Sequence, residues 1–359
     1  MPGPTLLAMI RASVLLLIAL LLGTSGSARA DPPAGTTTPI AARAMAAATP
    51  ASDGAHLVAA SPGPGRVLDL TVHSPAMART VPVEVLPAQD SSRPAPTLYL
   101  LNGVDGGTDT GLWSDGSNWL TKTDVERFFA DKQVTVVIPI GGAGSFYADW
   151  QADDPVLGRQ RWTTFLTQEL PPIIDSAFGG TGANALAGLS MASSAVFRVA
   201  LSAPGLYRAI GSYSGCVRTS DTAGRLMVNA IVASRRGNPS NLWGPPESPA
   251  WAANDPFLRA DELRGTAIYV STGTGEPGPL DTLTGPGVNG SPVKLVDQLV
   301  VGGILDAITG ACTRQLRDRL QQLDIPAVFD LRPTGTHSWG YWQQDLHNSW
   351  PTFAAALGE

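Results

Sequence analysis

Ala185-Leu186-Ala187-Gly188-Leu189-Ser190-Met191-Ala192-Ser193-Ser194 is the stretch that decides how this 359-residue chain is read. Residues 185–189 are continuously apolar, as a strand covered on both faces requires. From Ser190 to Ala203 the composition turns Ala-rich, as a buried helix does. A serine between such a strand and helix stands on a sharp turn, the nucleophile elbow, with its hydroxyl held clear of the sheet. Small residues are needed at Gly188 and Ala192, because bulk two positions before or after the serine strikes neighbouring backbone. The helix start also aims N–H groups at negative charge developing there. The competing reading is an ordinary serine N-cap without chemistry.

Outward from the elbow, strand-like runs lie at 67–72, 81–86, 97–101 and 134–140 before it, and at 209–213, 267–271 and 327–331 after it. Helical spacing lies between the later runs. Trp162, Phe165, Leu166, Leu170, Ile173 and Ile174 follow it, although Pro171-Pro172 should break or kink that helix. Residues 313–323 form another amphipathic pattern. Strands first, then strand and helix in alternation, predict an α/β fold. Its central sheet is expected to be mostly parallel, with antiparallel N-terminal strands and helices on both faces. Residues 217–265 and 273–300 read as excursions from one core, so 66–359 is expected to be a single catalytic domain.

The N-terminus carries Arg11, an apolar run from Ala12 to Leu22, and Ala28-Arg29-Ala30. That order is a secretory signal peptide over residues 1–30, and the run is too short to span a bilayer comfortably. Residues 31–65 are rich in Ala, Pro, Thr and Gly and read as a flexible spacer. Charged residues make up 15% and the net charge is −6. With no basic stripe, nucleic acid is excluded as a partner. The low charge also excludes a coiled coil. Cys216 and Cys312 are the only cysteines. In an oxidising compartment an even pair suggests one disulfide. No His or Cys lies at zinc spacing, so no metal site is expected.

Four histidines are available as base: His56, His73, His337 and His347. His337 follows the last strand, and the chain order Ser, acid, His is that of α/β-hydrolases. The acid must accept the imidazole N–H and fix the tautomer. Glu276, Asp281, Asp297, Asp306, Asp318 and Asp324 all lie in the right interval, and spacing does not choose among them.

Six segments resemble secreted mycolyltransferases of the antigen 85 type, and in that family's order. They are residues 98–104 (LYLLNGV), 141–150 (GGAGSFYADW), 162–170 (WTTFLTQEL), 187–194 (AGLSMASS), 243–256 (WGPPESPAWAANDP) and 335–342 (GTHSWGYW). The resemblance runs from about residue 66 to the C-terminus. It implies an α/β-hydrolase fold outside the cytoplasmic membrane, transferring mycolyl groups between trehalose esters or onto cell-wall arabinan, without a cofactor. On matching positions it implies Ser190 as nucleophile, His337 as base, and the N–H groups of Met191 and Val104 as oxyanion hole. The closest match to the family's acidic Glu is Asp306, one methylene shorter, which requires a closer approach of the backbone. Asn102 and Asp105 stand where the family has an acidic residue and an Arg in its trehalose pocket. Trp339 matches a residue beside the sugar site. A Cys216–Cys312 bond would tie the region after the nucleophile to that after the acid. Trp113, Trp119, Trp150 and Trp339 are candidate walls for a sugar acceptor. Two other functions fit the same residues: a secreted carboxylesterase using water as acceptor, and a non-enzymatic cell-surface adhesion module. Peripheral association with the envelope is expected of the acyltransferase.

Overall fold

A computed structural model describes residues 39–108 and 118–359. The signal peptide, the first part of the spacer and Trp113 lie outside them. Among the described residues nine strands build one sheet: β1 (His56–Pro62), β2 (Leu68–Ser74), β3 (Arg79–Leu86), β4 (Ala95–Leu101), β5 (Thr135–Pro139), β6 (Gly180–Leu189), β7 (Tyr207–Tyr213), β8 (Ala267–Thr272) and β9 (Val328–Leu331). Their spatial order is β1-β2-β3-β5-β4-β6-β7-β8-β9. The pairs along β1, β2, β3 and β5 are antiparallel, and every pair from β5 through β4 to β9 is parallel. The expected fold class is the one observed.

The two faces of the sheet are legible in β4. Tyr99 and Leu101 join one apolar core, whereas Leu98 and Leu100 join the other. Successive strand side chains point to opposite faces, so a strand apolar at every position must be covered twice. On the first face lie α1 (Pro39–Ala47), α2 (Leu170–Phe178), α3 (Ala192–Ser202), α4 (Thr222–Ser234) and the second half of α5 (Gly303–Gln322). The second face is covered by α6 (Trp339–Leu357), through Trp342, Leu346, Phe353 and Leu357.

Three expectations are corrected. The spacer does not extend to residue 65: residues 39–47 form α1 and residues 56–62 form β1. Ala41 and Ala44 are buried, and α1 packs on α2. Alanine-rich composition is shared by flexible spacers and by the best helix formers, and tertiary packing decides between them. Second, Pro171 and Pro172 do not break a helix. They occupy the first turn of α2, where a missing N–H is harmless, after a π-helical turn at Phe165–Glu169. Third, the helix foreseen at 313–323 begins at Gly303 and carries Asp306 in its first turn.

Candidate active site

Ser190 closes β6 and opens α3, and its backbone stands at φ +54. Its N–H donates to Tyr213 O at 2.8 Å and its C=O accepts from Ser193 N at 3.0 Å, which pins the turn. A Cβ on Gly188 would lie 2.7 Å from Ala192 Cβ, so the elbow tolerates no larger residue there.

His337 comes from the loop between β9 and α6. Its N–H donates to Gly302 O at 3.1 Å, and the neighbouring Thr336 hydroxyl donates to Asp281 at 2.5 Å. His337 Nε2 is 2.8 Å from Ser190 Oγ, and Nδ1 is 2.9 Å from Asp306 Oδ1. Asp306 is fully buried and also accepts from Gly273 N at 2.9 Å and Ser214 Oγ at 3.3 Å. Burial pushes its pKa up. The hydrogen bond and charge of His337, with the Gly273 and Ser214 bonds, outweigh burial and hold it below the ordinary carboxylate value. A charged carboxylate on Nδ1 keeps that nitrogen the donor and leaves Nε2 to accept the serine proton.

The other carboxylates in the interval do not meet the imidazole. Asp281 accepts from Thr336, Gln298 and Tyr341, Asp318 pairs with Arg317, and Glu276 and Asp324 are exposed. Asp297, raised by burial, is half-buried. His56 and His73 face each other across β1 and β2 at 5.2 Å, and His347 binds Asp124 and stacks on Phe128.

The turn after β4 lies against the serine: a Cβ on Gly103 would be 2.9 Å from Leu189 and 3.6 Å from Ser190 Cβ. Val104 follows directly, and Met191 opens the helix. Asn102, expected in the sugar pocket, is fully enclosed in this structure, with Nδ2 3.4 Å from Pro139 O. Asp105 is half-buried and accepts from Gly107 N at 3.1 Å. Trp119 and Trp150 are core residues, bonded through Nε1 to Leu101 O and Ser145 O. Trp339 is half-buried, edge-on to Trp119 and Trp342.

Cys216 and Cys312 form a disulfide, with Cα atoms 5.2 Å apart. Two contributors escaped the sequence reading. Trp342 meets the His337 ring edge-on at 4.9 Å, and Ser214 reaches the acid. The signal for Ser214 was its position just past the carboxyl end of β7, where open α/β sheets gather their site residues. Among the described residues no cluster of His, Cys, Asp and Glu suits a metal ion.

Residues 74–353 match the Esterase family. The diacylglycerol acyltransferase/mycolyltransferase Ag85A of Mycobacterium tuberculosis is 32% identical over 302 residues, covering 80% of this chain and 81% of that protein. The diacylglycerol acyltransferase/mycolyltransferase Ag85B of Mycobacterium leprae is 31% identical over 318 residues, covering 85% of this chain and 88% of that protein. Among solved structures, MPT51 (FbpC1) of Mycobacterium tuberculosis superposes with a TM-score of 0.65 at 24% identity. The match covers 80% of this chain and 97% of that one. An S-formylglutathione hydrolase from Agrobacterium tumefaciens gives 0.58 at 15% identity, covering 84% and 99%. These two share the fold.

Proposed function

The chain belongs to the Esterase family and, within it, to the mycolyltransferases of the antigen 85 type, and on that premise we propose that it moves acyl groups through Ser190 between sugar esters outside the cytoplasmic membrane. Its donor is a mycolyl or similar acyl ester of trehalose, and its acceptor a second trehalose ester or cell-wall arabinan. The observation that carries the reading is the unbroken line Ser190–His337–Asp306.

In the first half-reaction Ser190 Oγ attacks the ester carbonyl while His337 Nε2 takes its proton. Asp306 stabilises the imidazolium through the Nδ1–H bond. The amides of Met191 and Val104 bind the oxyanion; such donors typically contribute about 3–4 kcal/mol each. The leaving sugar hydroxyl receives the proton from His337, and an acyl-serine remains. In the second half an acceptor hydroxyl gives its proton to His337 and attacks the acyl carbonyl; the bond to Ser190 Oγ then breaks, Ser190 Oγ takes that proton back from His337, and the new ester leaves. Sugar contacts are proposed for Asp105 and Trp339, which flank the serine turn and the histidine loop. Residues 1–30 direct the protein out of the cytoplasm, leaving 66–359 as the core of a catalytic unit that also includes α1 and β1. Val296, Val300, Ile304 and Ile308 stand exposed on the helical stretch around the acid, which suits work against a lipid-bearing envelope.

The test is labelling by a serine-directed phosphonate, followed by product analysis with a labelled fatty-acyl trehalose. Label is expected on Ser190 and is lost in Ser190→Ala, together with turnover by a factor of about 10⁴ or more. New sugar esters establish transfer; free acid as sole product turns the reading to the carboxylesterase, and absence of any label turns it to the adhesion module.

A further inference from the structure

An aspartate is short, and α5, which carries Asp306, lies close against the loop that follows β8. The face of α5 bearing Asp306, Thr309, Gly310 and Thr313 is buried. Two glycine contacts permit that closeness. A Cβ on Gly310 would stand 2.9 Å from Gly273 O, and one on Gly303 would stand 2.8 Å from Gly275 O. Both obstacles are backbone, which cannot swing aside like a flexible side chain. Thr309 Oγ1 meets Thr272 Oγ1 at 3.1 Å across the same seam, and Gly273 N donates to the carboxylate itself.

A second segment holds α5 from the β7 side. Ser214, buried at φ +49, anchors its N–H to Ser271 O at 2.8 Å and turns its hydroxyl to Asp306. Gly215 packs so tightly on the elbow that a Cβ there would lie 2.7 Å from Ser190 O and 2.0 Å from Ser193 Cβ. Cys216 is bonded to Cys312, which lies less than two turns beyond Asp306 on α5. Three consecutive residues therefore touch the acid, the serine turn and the helix that carries the acid.

We propose that Gly273, Gly303, Gly310 and the Ser214-Gly215-Cys216 segment are positioning residues that set the height of α5 to the reach of an aspartate, with the Cys216–Cys312 bond as the pin. The inference rests on Ser190, His337 and Asp306 being the triad. Raising α5 stretches the Asp306–His337 bond, and misplacement by about 1 Å lowers turnover by about 100-fold in well-oriented sites. A glutamate is one methylene too long for the intact seat and the right length for a raised one.

The experiment measures kcat and KM on p-nitrophenyl butyrate, together with Tm. The variants are Gly310→Ala and Cys216→Ala/Cys312→Ala, each with Asp306 and with Asp306→Glu. Alanine suits a helix interior better than glycine, so Gly310→Ala reads the seat and not the helix. We expect kcat to fall about tenfold or more in both seat variants, with KM within about twofold. Asp306→Glu alone is expected to lower kcat, yet to raise it at least about threefold when added to Gly310→Ala. The inference is overturned if both seat variants keep wild-type kcat whatever happens to Tm. It is also overturned if Asp306→Glu lowers kcat by the same factor in every background. Should the cysteine variant not fold, the Gly310→Ala series decides alone. Ser190→Ala separates the two levels: turnover that survives it sinks the triad, whereas turnover that needs Ser190 but ignores the seat sinks only this proposal.

Discussion

At Ser190 the left-handed backbone costs a non-glycine residue about 1–2 kcal/mol, and the fold sustains it through the bonds to Tyr213 and Ser193. That strain presents the hydroxyl to His337. The acid is ionised at neutral pH, since its pKa lies below the ordinary carboxylate value. Asp306→Asn removes the acceptor that fixes the tautomer. Its kcat on p-nitrophenyl esters is expected to fall by about 10²–10⁴ with little change in KM. Ser190 and His337 are legible in the sequence, because strand–serine–helix order and position after the last strand single them out. Asp306 is legible only through family resemblance. It is one of six candidate carboxylates named in its interval, and what separates them is which one a helix brings to the imidazole. Asn102 shows the reverse case: a matching position in the chain whose side chain is turned into the protein.

Elements carry their own consequences. Phe353, fully buried on α6, lies over β7, where a Cβ on Gly211 would come within 2.5 Å of its ring. Phe353→Ala leaves a cavity and is expected to cost about 3–5 kcal/mol of stability, read from chemical denaturation. On β3, burial first and the charge of Asp69 second push the Glu84 pKa up to about 7. The folded protein thus holds a proton that the unfolded chain releases near 4.5. This contribution is complete below the unfolded value and is lost as pH rises through about 7. Glu84→Gln abolishes that titration. The fall in stability between about pH 5 and pH 8 should shrink by about 1–2 kcal/mol, after discounting for the solvent that reaches the group. Unchanged pH dependence in Glu84→Gln contradicts the assignment.

At the scale of the whole molecule, the described residues 39–108 and 118–359 belong to one compact unit. Its N-terminal part, α1 and β1, is integral to it. Ala41, Ala51, Ala55 and Leu57 are buried in the same core as α2, and Arg43 donates to Ser91 O at 2.8 Å. A chain beginning at residue 66 loses this cover and exposes β2 as a new sheet edge. It is expected to be less stable by roughly 3 kcal/mol or more and prone to association. Denaturation and light scattering of the shortened chain measure both effects; equal stability argues that the segment is mere decoration.

Local order along the chain by itself determined the fold class, the elbow serine and the histidine, because burial periodicity and turn chemistry are written in neighbouring residues. Eight of the nine strands were legible for that reason. Only tertiary structure decided which carboxylate meets His337, that Asn102 is enclosed, and that residues 39–47 and 56–62 form a helix and a strand. Each of these depends on contacts between segments far apart in sequence. Whether an alanine-rich stretch folds, or a short acid reaches its partner, is settled by how closely two backbones approach.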